Sequence, residues 1–306
     1  MKLKVCDAHC DTLSRIATNT PMDQMSVTPE RLREGGVSLQ MFAMFATYGG
    51  DIEPYEKGIK MLEASKNYPL NMCRGNLPDE LPDEPTGVFS IEGGEILKGS
   101  LEHFYAFDEA ARLRMIALTW NHENEIAHPA KDGPEGGLKP FGLTLVREMD
   151  KHGVLCDVSH LNEAGFWDVA EHSALPMVAS HSNFREKCDH FRNLNRDQVK
   201  AVIEKKGYIG INFFSAFLAK DRPATLDDVF CHVDALMQMG CEDVIGFGSD
   251  FDGIDEWPEG LATPADFPAL LDFLKARGGY SDEAMAKMAG GNMFRVLKMA
   301  EAARRV

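Results

Sequence analysis

The 306-residue sequence predicts an α/β fold, a single (β/α)8 TIM barrel, on three observations. Eight short apolar or β-branched runs recur roughly every 38 residues, near the period of a strand–loop–helix–loop unit. The runs are continuous rather than alternating, as in parallel strands buried on both faces. No low-complexity linker divides them, and no G-x-G-x-x-G follows the first, so an open dinucleotide-type sheet lacks its fingerprint.

Taken in order, the first run, residues 3–7, begins almost at the N-terminus, M-K-L-K-V-C-D-A-H, which carries no apolar core of a secretory leader. The second, 39–46, precedes a long segment, 49–85, containing the acidic L-P-D-E-L-P-D-E-P. The third and fourth are 87–91 and 115–119. A helix over 143–152 stops at Gly153, a C-cap, before the fifth run, 154–158. The sixth is 177–180. A helix over 196–206 is expected to end at Gly207 in the same way, ahead of the seventh run, 208–213. The eighth, 244–248, leads into a second long segment, 252–268. Both long segments are expected on the strand C-terminal face, where barrel pockets are built. Asn292, after Gly290 and Gly291, is expected to cap the last helix.

Composition narrows the function. Lys and Arg number 32 against 48 Asp and Glu, a net charge of −16. That excludes a binder of nucleic-acid backbone or of an anionic membrane surface, since neither has a basic patch to meet it. No run approaches the roughly 18 apolar residues of a membrane span. The seven cysteines are scattered, with no C-x-x-C pair, which predicts reduced thiols and a cytoplasmic protein. The sixteen methionines are expected in the core.

Polar, metal-competent residues sit at the ends of the apolar runs. His9 and Asp11 follow the first, two apart, so along an extended chain they aim at one point. Glu92 ends the third, before two glycines. His160 and His181 end the fifth and sixth, neighbours on a barrel rim, and Asp250 follows the eighth. Each alone is equally a hydrogen-bonded strand-end residue. Together they fall on the face where barrel enzymes place catalysis. Three histidines and three carboxylates suit two divalent ions with open water positions, not a closed, Cys-rich structural zinc.

At these residues the sequence resembles the membrane (renal) dipeptidase family, among the amidohydrolase-type metal-dependent barrels. The matching strings, across essentially the whole chain, are D-A-H-C-D-T at 7–12, S-I-E-G-G at 90–94, D-V-S-H at 157–160, S-H-S-N at 180–183, R-N-L at 192–194 and G-S-D-F-D-G at 248–253. The resemblance implies two Zn²⁺ ions, one on His9 and Asp11, the other on His160 and His181, bridged by Glu92, with a shared hydroxide as nucleophile. It further implies Asp250 as the acid/base, Arg192 as the group that holds the free carboxylate of a dipeptide, tolerance of a D-residue at the C-terminal side, and a homodimer. One string departs from the family. The fourth strand usually ends L-T-H, whose histidine stabilises the tetrahedral intermediate; here the chain reads Leu118-Thr119-Trp120-Asn121-His122. Either His122 reaches that position, if the strand end continues extended, or Trp120 shapes a pocket wall and His122 is solvated.

The expectation is therefore a zinc-dependent dipeptidase. Its rivals are another binuclear-zinc hydrolase acting on a cyclic amide, lactone or phosphoester, and a non-catalytic metal-bound binding protein.

Overall fold

The computed structural model describes residues 3–306. Its strands are β1 (Val5–Asp7), β2 (Val37–Phe45), β3 (Asn71–Met72), β4 (Thr86–Glu92), β5 (Met115–Ala117), β6 (Leu155–Asp157), β7 (Val178–Ala179), β8 (Tyr208–Ile211) and β9 (Ile245–Phe247). All pairs are parallel. The order β1-β2-β4-β5-β6-β7-β8-β9 closes on itself where Asp7 pairs with Phe247. Each of the eight predicted runs is a barrel strand, with helices between. β3 is an unpredicted ninth strand: two residues, partly exposed, paired with the first residues of β4 outside the barrel.

Side chains alternate along each strand, as the pleat requires. Leu39, Met41, Val88, Leu155 and Tyr208 pack together on one side; Phe42, Met44, Phe89, Cys156 and Ile209 join the larger core beneath the helices. Val296 and Leu297 of the last helix, Asn292–Ala303, pack with the first group. That helix crosses the strand N-terminal ends: Arg295 donates to Gly207 O and Asp243 O, just before β8 and β9. One end of the barrel is thereby closed, leaving the strand C-terminal ends as the face open to a ligand.

Five local expectations meet different outcomes. The helix before β6 is Pro140–His152, with proline at its start and Gly153 at φ 63 as its C-cap. The next predicted helix, Arg196–Glu204, ends instead with Lys206 in the left-handed region at φ 52. Gly207 is required for space, since a Cβ there would lie 2.1 Å from Met177 O. Asn292 caps nothing: the chain is already helical through Lys287–Gly291, and the Asn292 amide donates to Glu242 O and Ile245 O at 2.8 Å each. The acidic stretch of the first long segment lies at the closed end, where Ser38 Oγ donates to Pro82 O at 2.7 Å and Lys4 Nζ to Leu81 O at 2.6 Å. The second long segment does reach the open face, through Asp252–Asp255. Among the described residues no helix is long and apolar enough to cross a membrane.

Candidate metal centre

Two strand-end aspartates build the platform. Asp7, last in β1, accepts from Ser249 N (2.8 Å), Ser249 Oγ (2.6 Å) and Gln40 Nε2 (3.0 Å), joining the end of β1 to the middle of β2 and to the chain just after β9. Asp157, last in β6, accepts from Ser159 N (2.9 Å), Ser180 N (3.0 Å) and Ser180 Oγ. Buried carboxylates need such donors, and these donors come from neighbouring strands, so the ties fix the strand tips relative to one another.

On this platform the predicted residues converge. His9 Nε2 lies 3.5 Å from Asp11 Oδ2, 3.4 Å from Glu92 Oε2 and 3.8 Å from Asp250 Oδ1. The other oxygen of Glu92, Oε1, lies 3.0 Å from His160 Nε2 and 3.6 Å from His181 Nε2, which are 3.0 Å from each other. All are buried except Asp250, which is partly open. Space is tight: a Cβ on Gly253 would stand 2.2 Å from Asp11 Oδ2 and 2.8 Å from Asp250 Oδ1. Gly93, after Glu92, takes φ 85, and a Cβ there would meet Ala46 O at 2.8 Å. His160 (φ 68) and Asp250 (φ 66) hold left-handed backbones without being glycine, a strain that accumulates at functional sites.

The second nitrogens and oxygens have partners that sequence reasoning missed. His160 Nδ1 is 3.0 Å from Asn121 Oδ1. His181 Nδ1 is 2.7 Å from Ser180 Oγ, whose one proton goes to Asp157. Asn212 donates to Asp250 Oδ2 at 2.9 Å. The available signal was a lone polar residue inside or just after an apolar run, as in I-N-F-F at 211–214.

Electrostatics follow burial and charge. Burial holds His160 and His181 well below the usual imidazole range, with repulsion from Arg192 and His9 adding to it. Burial pulls His9 the same way, but the Glu92 and Asp11 carboxylates outweigh it and raise His9 well above normal. Burial raises Glu92 to about 7 and raises Asp250 against the opposing pull of His9. A buried anionic cluster that draws a proton onto its imidazole is one a cation would stabilise.

The donor set fits a divalent metal. Buried His9 Nε2 and Asp11 Oδ1 have no hydrogen-bond partner among the described residues. His9, Glu92 and His181 offer ligand atoms within 4.8 Å of one another, as do His9, Asp11 and Asp250. Imidazole and carboxylate without thiolate suit Zn²⁺ or similar ions.

The centre opens into a cavity of about 470 Å³ whose walls include Phe45, Trp120, Asn121, Phe214 and Phe217. The Trp120 ring is 5.1 Å from Phe45 and 6.3 Å from His160. His122 is exposed, edge-on to Trp120 at 5.5 Å, and does not line the cavity. β5 ends at Ala117 and the chain bends from Leu118, so the extended strand end that would carry His122 inward does not form. Arg192 is 4% exposed, with its guanidinium 5.5 Å from the Phe217 ring centre; Nε and Nη2 have no partner among the described residues. It lines a second cavity, of about 260 Å³, with Val158, Leu161 and Leu194, and is not among the residues lining the cavity at the centre.

Known proteins share this architecture. A metallopeptidase of Rhodobacter sphaeroides, solved with a phosphinate mimic of the dipeptide L-Ala-D-Ala, superposes with a TM-score of 0.87 at 26% identity, covering 98% of this chain and 100% of that one. An uncharacterized protein in the pqqA 5′ region of Klebsiella pneumoniae is 35% identical over 225 residues, 70% of this chain and 79% of that protein. An uncharacterized dipeptidase of Schizosaccharomyces pombe is 34% identical over 230 residues, 73% of this chain and 55% of its own length, so the match spans about half of that yeast protein. The model of the membrane dipeptidase family, peptidase family M19, matches residues 1–306. With its closed parallel barrel and metal-competent strand tips, the chain belongs to the membrane dipeptidase family of metal-dependent hydrolases.

Proposed function

We propose that residues 1–306 form one catalytic barrel that cleaves free dipeptides with two zinc ions, one held by His9 and Asp11, the other by His160 and His181, with Glu92 across both. The observation that carries this reading is the division of Glu92, one oxygen facing His9 and the other facing the His160–His181 pair. The orphaned His9 Nε2 and Asp11 Oδ1 support it. Zinc bound there lowers the pKa of water toward neutrality and polarises the scissile carbonyl.

The chain's own groups do the rest. Asp250 turns Oδ1 toward the centre while Asn212 holds Oδ2. It accepts a proton there and returns it to the amine nitrogen of the leaving residue, a task suited to a carboxyl raised by burial. Arg192 offers Nε and Nη2, two unpartnered donors in one plane, to the substrate's terminal carboxylate. Burial lowers its pKa only to about 10, so it is charged at neutral pH. Trp120 and Phe45 form an apolar wall for a substrate side chain. The L-Ala-D-Ala mimic bound by the Rhodobacter protein supports a dipeptide with a D-residue at its C-terminal side.

The test is a panel of L-L and L-D dipeptides given to purified protein carrying about two zincs. Release of both amino acids is expected, with amidated and cyclic analogues poorer. No hydrolysis across the panel contradicts the proposal, and a preference for cyclic or amidated substrates transfers the site to another amide hydrolase.

A further inference from the structure

We infer that Asn121 is the positioning residue that fixes the tautomer and orientation of the His160 imidazole, so that one half of the centre depends on the loop carrying Trp120. The inference rests on the ligand role proposed above for His160. His160 follows β6 at φ 68, a conformation that persists only where its surroundings hold it. Its ring is gripped on the edge away from the centre, with Nδ1 3.0 Å from Asn121 Oδ1, while Nε2 faces Glu92 Oε1 and His181 Nε2, each at 3.0 Å.

A neutral imidazole has one N–H. An amide oxygen can only accept, so the proton resides on Nδ1 and the Nε2 lone pair points into the cluster, where a metal would take it. Rotating the Asn121 amide by half a turn would place an N–H against Nδ1, move the ring proton to Nε2 and remove that lone pair. Asn121 is itself held by a pinned loop. Asn124 donates to Leu118 O at 2.9 Å and to Glu95 Oε2 at 3.0 Å, and its Oδ1 accepts from the N–H groups of Ile126 (2.8 Å) and Ala127 (3.1 Å). His181 is oriented by different groups, Ser180 and Asp157, buried in the strand tips. The two histidines thus have independent supports, and only that of His160 belongs to the cavity wall.

The experiment measures zinc affinity of the full chain, stripped of metal and titrated against a chromophoric chelator. Three proteins are compared: wild type, Asn121→Leu, which removes the acceptor, and Asn121→Asp, which keeps one. Wild type is expected to bind two zincs. Asn121→Leu should weaken one of them by ~10–100-fold and leave the other within about threefold, the usual cost of losing a ligand's outer partner. Asn121→Asp should restore the affected site to within about threefold of wild type. The inference is overturned if Asn121→Leu leaves both affinities unchanged, if it weakens both equally, or if Asn121→Asp falls as far as the leucine variant. A wild type that binds no zinc overturns the metal reading itself, a separate result visible before any variant is made.

Discussion

Glu92 and His160 meet at 3.0 Å through Oε1 and Nε2, while the second oxygen of the same carboxylate turns 3.4 Å from His9. One side chain from β4 thereby joins ligand candidates that lie far apart in the sequence, His9 near its start and His160 and His181 near its middle.

Asp250 can be separated from the ligands by a conservative change. Asp250→Asn keeps its size and an acceptor oxygen but cannot take a proton. Zinc content should stay at wild-type level while kcat drops about 10²–10⁴-fold. Loss of metal together with activity, measured by elemental analysis, would make Asp250 a ligand, as its grouping with His9 and Asp11 allows.

Arg192 should act on binding of one substrate end. Arg192→Ala is expected to raise KM for free dipeptides about 10²-fold, the scale of a lost charge-assisted pair, and to change KM for C-terminally amidated analogues far less. Equal effects on both substrates would reject the carboxylate role.

Trp120 and His122 should differ sharply, because only Trp120 lines the cavity. Trp120→Ala is expected to raise KM for dipeptides with large apolar side chains about tenfold, and His122→Ala to leave kcat/KM within about twofold. A fall of a hundredfold or more in the His122 variant would return that histidine to the reaction.

Glu95 gives a pH signature away from the metal ligands. It is fully buried after β4, and burial raises its carboxyl from an ordinary 4.5 to about 7. In the folded chain it keeps its proton through a range in which the unfolded chain has lost it. Its contribution is therefore fully present below about pH 4.5 and is lost as pH rises through 7, a change of about 3 kcal/mol over that range. Glu95→Gln, neutral at every pH, should match wild type near pH 4.5 and exceed it in urea unfolding at pH 8. Parallel stability curves for the two proteins would contradict this.

Much of the fold was legible because its signals are local and strong. Eight apolar runs needed burial on both faces, and all eight are barrel strands; Asn71–Met72 escaped because it has no apolar run to announce it. The site residues were legible for a related reason, since a polar residue at a strand tip must face the open end. Their supports were not. Whether Asn121 meets His160, or Asn212 meets Asp250, depends on how neighbouring tips and loops are placed, and spacing along one strand carries no trace of that. His122 failed to enter the cavity because the chain turns before it, and the acidic stretch near Pro82 lies at the closed end because the helix Pro54–Ala64 has by then returned the chain to the level where β4 begins, with Asn71 paired to Thr86.

The most direct test of the account is diffraction from crystals of zinc-loaded protein at the zinc absorption edge. Two anomalous peaks per chain are expected, one beside His9 and Asp11 and one beside His160 and His181, with Glu92 between them. A single peak, or a second peak away from Glu92, would contradict a centre bridged by that carboxylate.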